Sequence, residues 1–208
     1  KAMKMVAAAK LRRAQERIFA ARPYAGGLRE VLESVVSRVD PDKHPLLAAR
    51  DDERNVVVIV VTSDKGLAGA FNANVLKAAV NLLREHNWEK VELLPIGRKA
   101  NDFFKRRSIP IRQQQAPHLM QALSPETARE IGQSITIGYL SGEIDAVYLV
   151  FNEFKSVMSQ VVWIEKLLPI ERPAEKEPGA SAVEYLFAPG PGEIRSDLLP
   201  KHIEFQFY

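Results

Sequence analysis

Apolar residues recur along the start of the chain at Met3, Ala7, Leu11, Ala14, Ile18, Ala21, Ala25, Leu28, Leu32, Val35 and Val39. Their mean spacing of about 3.6 is the helical period, so the pattern predicts an amphipathic helix. Pro23 should interrupt it, because proline removes a backbone donor and crowds the preceding turn at about 3 kcal/mol. The stripe nevertheless keeps its phase through Pro23 and past Gly26-Gly27. One long helix kinked there, roughly 60 Å at 1.5 Å per residue, is the favoured expectation, and two shorter helices are the alternative. A chain of this length folds to a radius of gyration of about 17 Å, so part of such a helix has to project. A projecting apolar stripe needs a second helix beside it, and Ala7, Ala14 and Ala21 permit close approach.

After the polar stretches DPDKHP and RDDERN the period changes. Val56 to Thr62 reads as a buried strand, Phe71 to His86 as a helix, and Val91 to Ile96 as a second strand. A short helix is expected from Lys99 to Arg107 with Phe103 and Phe104 inward, and a further strand at Ile109 to Arg112. Ser124, Pro125 and Glu126 supply an N-cap, a proline at the first helical position and a first-turn carboxylate, opening a helix that runs to about Leu140. Ala146 to Phe151 is a strand, and the stretch from Ser156 to Ile170 reads as a long strand antiparallel to it.

Alternation of this kind predicts an α/β fold, a Rossmann-like, mainly parallel sheet with flanking helices, carrying the long projecting N-terminal helix. The expected units are the N-terminal helix at 1–40, the α/β domain at 51–170, a proline- and glycine-rich loop at 171–192, and a further helix beginning at 193–208. The chain opens without an initiator Met or an N-cap and stops without a C-cap, so both ends read as cut inside helices.

Charge sharpens this picture. The 208 residues carry a net charge of only +3, but residues 1–38 hold nine Lys or Arg against three Glu. The basic character therefore belongs to the first segment, and it points to an acidic protein surface, a nucleic acid or an anionic membrane. No aromatic residue for stacking or interfacial anchoring occurs before Phe19, which favours the acidic protein. The longest aliphatic run, Val56 to Val61, is far short of the roughly 20 residues of a membrane-spanning helix, so no direct membrane insertion is expected. Cysteine is absent, which removes disulfides, thiolate metal sites and a cysteine nucleophile. His44, His86, His118 and His202 lack metal-ligand spacing and read as surface residues.

A valine-rich strand followed by TSDKGLAGAFN, residues 62–72, is the setting in which many proteins hold nucleotide phosphate. The chemistry is missing. A phosphate loop needs Lys and a hydroxyl after its last glycine, whereas Lys65 precedes Gly66, and Gly69 is followed by Ala70 and Phe71. The dinucleotide fingerprint needs three glycines where Gly66 and Gly69 are two. Thr62, Ser63 and Asp64 read instead as capping groups, with Gly66 and Gly69 easing the turn and letting the helix approach the strand. No catalytic residue, cofactor site or metal site is nominated. A nucleotide-binding enzyme using Asp64 to Asn72, and a nucleic-acid-binding α/β protein using the basic helix, are the rival readings.

Four stretches, KAMKMVAAAKLRRAQ, TSDKGLAGAFN, FNEFKSVMSQ and LPKHIEFQFY, occur in the order and register of one family. The chain resembles the gamma subunit of the F-type ATP synthase, of bacterial type, over essentially its whole length. The resemblance implies a central rotor shaft. Two long helices from the two ends of such a chain form an antiparallel coiled coil inside a ring of alpha and beta subunits, and the α/β domain sits at the base against the epsilon subunit and the membrane rotor ring. It implies no catalytic residues in this chain, no cofactor and no nucleic acid, and a peripheral place on the cytoplasmic face of the bacterial cell membrane, with the matrix side of a mitochondrial membrane as the alternative. Lys1, Met3, Lys4, Lys10, Arg12 and Arg13 resemble the region that meets acidic loops of the beta subunits, and Asp64, Gly66 and Gly69 belong to a turn at which the family binds no nucleotide. Many members carry Cys where this chain has Ala68. Photosynthetic members have an inserted segment with a cysteine pair, so redox control of that type is not implied here.

The isolated chain should hydrolyse no ATP and bind it only weakly, because nothing after Gly69 can hold a triphosphate with its metal. Titration calorimetry checks this; a micromolar, Mg²⁺-dependent ATP site would restore the enzyme reading.

Overall fold

The computed structural model describes residues 4–16, 19–20, 45–48, 50, 52–66, 69–112, 125–156 and 159–170. The helical stripe beyond Ile18 with its kink at Pro23, the cap at Ser124, Ala68, the loop at 171–192 and the helix at 193–208 lie outside them, as do Lys1 and Met3. Residues 4–16 form helix α1, which is exposed along almost its whole length, with Met5 and Leu11 open to solvent.

Four strands make one sheet: β1 (Asn55–Val61), β2 (Lys90–Ile96), β3 (Ala146–Ser156) and β4 (Ser159–Leu168), in the order β2-β1-β3-β4. β1 pairs in parallel with both β2 and β3, whereas β3 and β4 are antiparallel. The fold is thus a mixed α/β sheet with flanking helices, α2 (Phe71–Glu85), α3 (Arg98–Lys105) and α4 (Pro125–Leu140). β3 runs five residues past the expected end at Phe151, because Asn152, Glu153 and Phe154 continue the ladder with Val162, Val161 and Gln160. The strand expected at Ile109 to Arg112 is a single parallel bridge, Leu93 to Ile111, along the outer side of β2. Pro95 is tolerated within β2 because β2 lies at the sheet's edge, where a missing donor need not face a neighbour.

β1 explains the layering. Val57 and Ile59 enter one apolar cluster with Ile131, Ile135 and Tyr139 of α4, while Val56, Val58 and Val60 enter another with Val75 and Ala79 of α2 and Ala100 and Phe104 of α3. A strand covered on both faces needs an unbroken aliphatic run and not an alternating one, which is what NVVVIVV supplies. Phe104 is fully buried, and Phe103 packs half-buried beside it with its ring edge-on.

Another stretch of backbone lies directly against Gly97, between β2 and α3, where φ is 95°. A Cβ there would run into the Thr62 carbonyl, lying 2.7 Å from its carbon and 2.9 Å from Thr62 Oγ1. Gly66 and Gly69 do not have that role. A Cβ on Gly66 would meet only the tip of Lys99, and one on Gly69 would meet nothing, although its φ of 56° is left-handed.

A polar network ties the approach to β1 onto the far side of the sheet. Glu53 Oε1 lies 2.6 Å from Lys166 Nζ on β4, and Glu53 Oε2 accepts from the Tyr148 hydroxyl on β3 at 2.8 Å. Burial pushes the Glu53 carboxyl up, but Lys166 and Tyr148 together outweigh it and hold the group below its ordinary value.

Two outcomes follow from these contacts. Gly97→Ala should cost at least about 2 kcal/mol, since it adds a backbone clash to an unfavourable φ, whereas Gly69→Ala should cost about 1 kcal/mol from φ alone; urea titration of both variants measures the difference. Because the Glu53 carboxyl is depressed in the folded state, its stabilisation is present above the carboxylate's unfolded value of about 4.3 and is lost as the pH falls through the lower folded value. Melting temperature followed down through pH 4 should therefore decline less steeply in Glu53→Gln than in the parent, from a lower starting point.

Candidate functional site

The turn after β1 stands at the carboxyl ends of the parallel strands, beside the point where the chain order reverses between β2 and β3 across β1. In open α/β sheets this crevice is the usual ligand position. Its polar groups are spent on the fold. Thr62 Oγ1, buried to 1% exposure, accepts from Ala100 N at 2.9 Å; the Ser63 carbonyl accepts from Lys99 N at 3.3 Å; and Asp64 Oδ1 accepts from Arg98 N at 3.0 Å. Three successive residues thus satisfy the first three donors of α3, the groups that a bound phosphate would otherwise use. The Asp64 carboxylate occupies the anion's place at that helix end, where the macrodipole also favours negative charge.

The capped helix is therefore α3, more than thirty residues away in sequence, and not α2, which follows the turn directly. α2 starts at Ala70 with no side-chain cap and no acidic residue in its first turn. Its entry is held otherwise. Asn72 Oδ1 accepts from Ser63 N at 3.0 Å and its Nδ2 donates to Ser63 Oγ at 3.0 Å, while Ser63 Oγ donates to the Lys65 carbonyl at 2.6 Å. From β3, Asn152 Nδ2 donates to the Phe71 carbonyl at 3.1 Å and closes the crevice between β1 and β3. Asn72 and Asn152 were not singled out in the sequence, since nothing local distinguishes them from any other asparagine.

The second group of candidate residues lies apart from this turn. Lys4, Lys10, Arg12 and Arg13 are all exposed on α1. At about 100° per residue Lys4 and Lys10 flank the Ala7, Leu11 and Ala14 stripe, with Arg12 and Arg13 farther round the helix. Arg12 Nε pairs with Glu16 Oε1 at 3.0 Å across one helical turn, with both side chains mostly in solvent, so the pair contributes little. His86, among the described residues, is exposed and stacks on Trp88 with 4.6 Å between ring centres, a surface role. No helix among the described residues is long and apolar enough to cross a membrane.

Comparison with known proteins places this geometry. The family model described as ATP synthase matches residues 1–208. The ATP synthase gamma chain of Chlorobium phaeobacteroides (strain BS1) is 46% identical over 214 residues, covering 100% of this chain and 72% of the relative. That of Geobacter sp. (strain M21) is 44% identical over 210 residues, with coverage of 100% and 72%. Among solved structures, the central stalk and c-ring of the Tetrahymena thermophila mitochondrial ATP synthase includes a chain with the same fold, at a TM-score of 0.68 and 22% identity, covering 100% of this chain and 88% of that one. With the family model matching every residue and relatives 44–46% identical over the whole of this chain, the chain belongs to the ATP synthase gamma chain family.

Proposed function

We propose that this chain is the central rotor shaft subunit of an F-type ATP synthase, a non-catalytic subunit that couples proton flow through the membrane sector to ATP synthesis or hydrolysis at the beta subunits. The observation that carries this reading is identity of 46% to an ATP synthase gamma chain across the whole of this chain. The turn supports it from the other side, because a strand end whose donors are already capped by Thr62, Ser63 and Asp64 offers a nucleotide little to bind.

In this reading residues 1–40 and the segment beginning at 193–208 are the two strands of an antiparallel coiled coil, joined through the α/β domain at 51–170 and the loop at 171–192. Leu11, exposed on the stripe it shares with Ala7 and Ala14, then lies on the surface that a partner helix covers. The ring of alpha and beta subunits surrounds the coiled coil, and the α/β domain meets the epsilon subunit and the membrane rotor ring. The subunit works on the cytoplasmic face of a bacterial cell membrane without entering it, takes no cofactor, and contacts no nucleic acid.

Lys1, Met3, Lys4, Lys10, Arg12 and Arg13 form the surface that slides past each beta subunit in turn. An interaction that strengthens at one angle has to be broken to reach the next, so a tight contact acts as a brake. Methionine is flexible and apolar and packs without a strong directional bond. A lysine in its place adds a charge able to pair with an acidic loop, and a desolvated pair at an interface can be worth several kcal/mol.

In a reassembled complex, Met3→Lys should preserve assembly but reduce proton-driven ATP synthesis relative to ATP hydrolysis. Charge removal at Lys4 or Lys10 should do less, because a solvated rim charge contributes roughly 0–1 kcal/mol. Both rates are measured in membrane vesicles; wild-type rates and ratio in Met3→Lys would remove this helix from the beta subunits.

A further inference from the structure

The described residues of the α/β body begin at Pro45 and end at Ile170, and these two ends are bonded to each other. Ile170 N donates to the Leu46 carbonyl at 2.9 Å. Leu46 and Leu47 are buried, at 3% and 6% exposure, among Leu167 and Leu168 of β4 and Ile135 and Tyr139 of α4. Two further bonds run to the same helix. The Tyr139 hydroxyl donates to the Ala48 carbonyl at 2.8 Å, and Arg50 donates through a terminal nitrogen to the Tyr139 carbonyl at 2.8 Å, with its guanidinium 5.0 Å from the centre of the Tyr139 ring. Burial holds the Tyr139 hydroxyl above its ordinary value despite the opposing Arg50 charge, so it remains a donor at neutral pH.

We infer that this arrangement is a torque joint, with Arg50 and Tyr139 as positioning residues that lock the α/β domain to the two segments leaving it. The inference rests on the rotor reading above, in which the domain is turned from below and the segments before Pro45 and after Ile170 drive the catalytic ring. A single peptide crossing is a swivel, because φ and ψ turn under load. Two crossings hydrogen-bonded to one another still hinge as a pair about their common line. Bonds from a third element remove that freedom, and α4 supplies them from both ends of one residue, the Tyr139 hydroxyl and the Tyr139 carbonyl. The buried Leu46-Leu47 pair holds the assembly in register, since sliding it would expose both side chains. A segment needed only to help α4 cover its face of the sheet would be served by the two leucines alone; the polar clamp onto Tyr139 adds directional restraint with little apolar burial.

The test uses the full subunit in the reassembled, membrane-bound complex, comparing the parent with Arg50→Ala, Tyr139→Phe, their double variant, and Arg50→Lys. These 208 residues contain no cysteine, and in a complex cleared of any others a cysteine placed at exposed Glu85 on α2 carries an optical probe for the domain's angle. In the double variant, ATP hydrolysis should stay near the parent rate while proton-driven synthesis falls about threefold or more, as expected on losing coupled hydrogen bonds from one joint. The angular variance of the probe in a stalled complex should at least about double, with Arg50→Lys restoring part of both, because its ammonium still reaches a carbonyl but lacks the planar fork. A lowered melting temperature with the synthesis-to-hydrolysis ratio and the angular variance of assembled complexes unchanged would overturn the joint and leave the shaft standing. Failure of the parent subunit to assemble with the alpha and beta ring would overturn the shaft, and the joint with it.

Discussion

Burial of β1 on both faces is the constraint from which the rest of the architecture follows. Five consecutive residues, Val56 to Val60, are 2% exposed or less. Each such side chain removed from water contributes roughly 1.5–3 kcal/mol, so the strand is worth forming only if both faces are covered. Covering one face takes α2 and α3, and covering the other takes α4 with Leu46 and Leu47. The chain order follows from the same need. The connection from β1 to β2 supplies α2 to the first face, and the longer connection from β2 to β3 adds α3 there and brings α4 to the second.

The same strand decides the fate of the crevice at its end. A parallel sheet of this kind brings helix N-termini to its carboxyl edge, and their free donors attract anions. Here the sequence that continues β1 turns back over α3 and supplies the acceptors itself, a hydroxyl, a carbonyl and a carboxylate in successive residues. That is feasible only because the backbone at Gly97 lies against Thr62, closer than any side chain would allow. The fold that elsewhere presents a phosphate site presents a closed mechanical part in this chain. Its polar groups are satisfied internally, and the first donors of α3 already have acceptors in the places a phosphate would take.

A subunit that works by turning needs rigidity where load crosses and weak bonds where surfaces slide. The described residues carry buried bonds and exposed ones in different places. Tyr139 is buried and its partner Arg50 exposed, Glu53, Tyr148 and Lys166 are half-buried, and the bonds among these groups join elements about ninety residues or more apart. The basic residues of α1 stand in solvent, and the ion pair Arg12 makes there is one of the weak, exposed kind.

Local pattern was enough for the element types, because periodicity is written residue by residue. The 3.6 spacing of α1, the aliphatic run of β1, the proline and carboxylate opening α4 and the alternation of strands with helices all follow from the solvent preference of each side chain and its neighbours. Negative chemistry was legible too, since the absence of Lys and hydroxyl after Gly69 is a property of the string itself. The candidate turn was legible only in part. Thr62, Ser63 and Asp64 were readable as acceptors near a helix start, but sequence proximity pointed to α2 and the tertiary fold assigned them to α3. Gly97 was passed over for Gly66 and Gly69 for the same reason: a glycine in a turn is visible in the sequence, but whether another backbone lies against it is not. Asn72, Asn152, Arg50, Tyr139 and the Glu53-Lys166-Tyr148 network carried no local signal. Among the described residues the sequence by itself determined which segments would be helix or strand, Ile109 to Arg112 excepted, and that the phosphate-loop motif is missing, because those depend on covalent neighbours. Only the tertiary structure decided which donor meets which acceptor, because a hydrogen bond needs its partners within about 3 Å, and partners ninety or more residues apart are brought to that distance by the packing of the sheet and not by the chain.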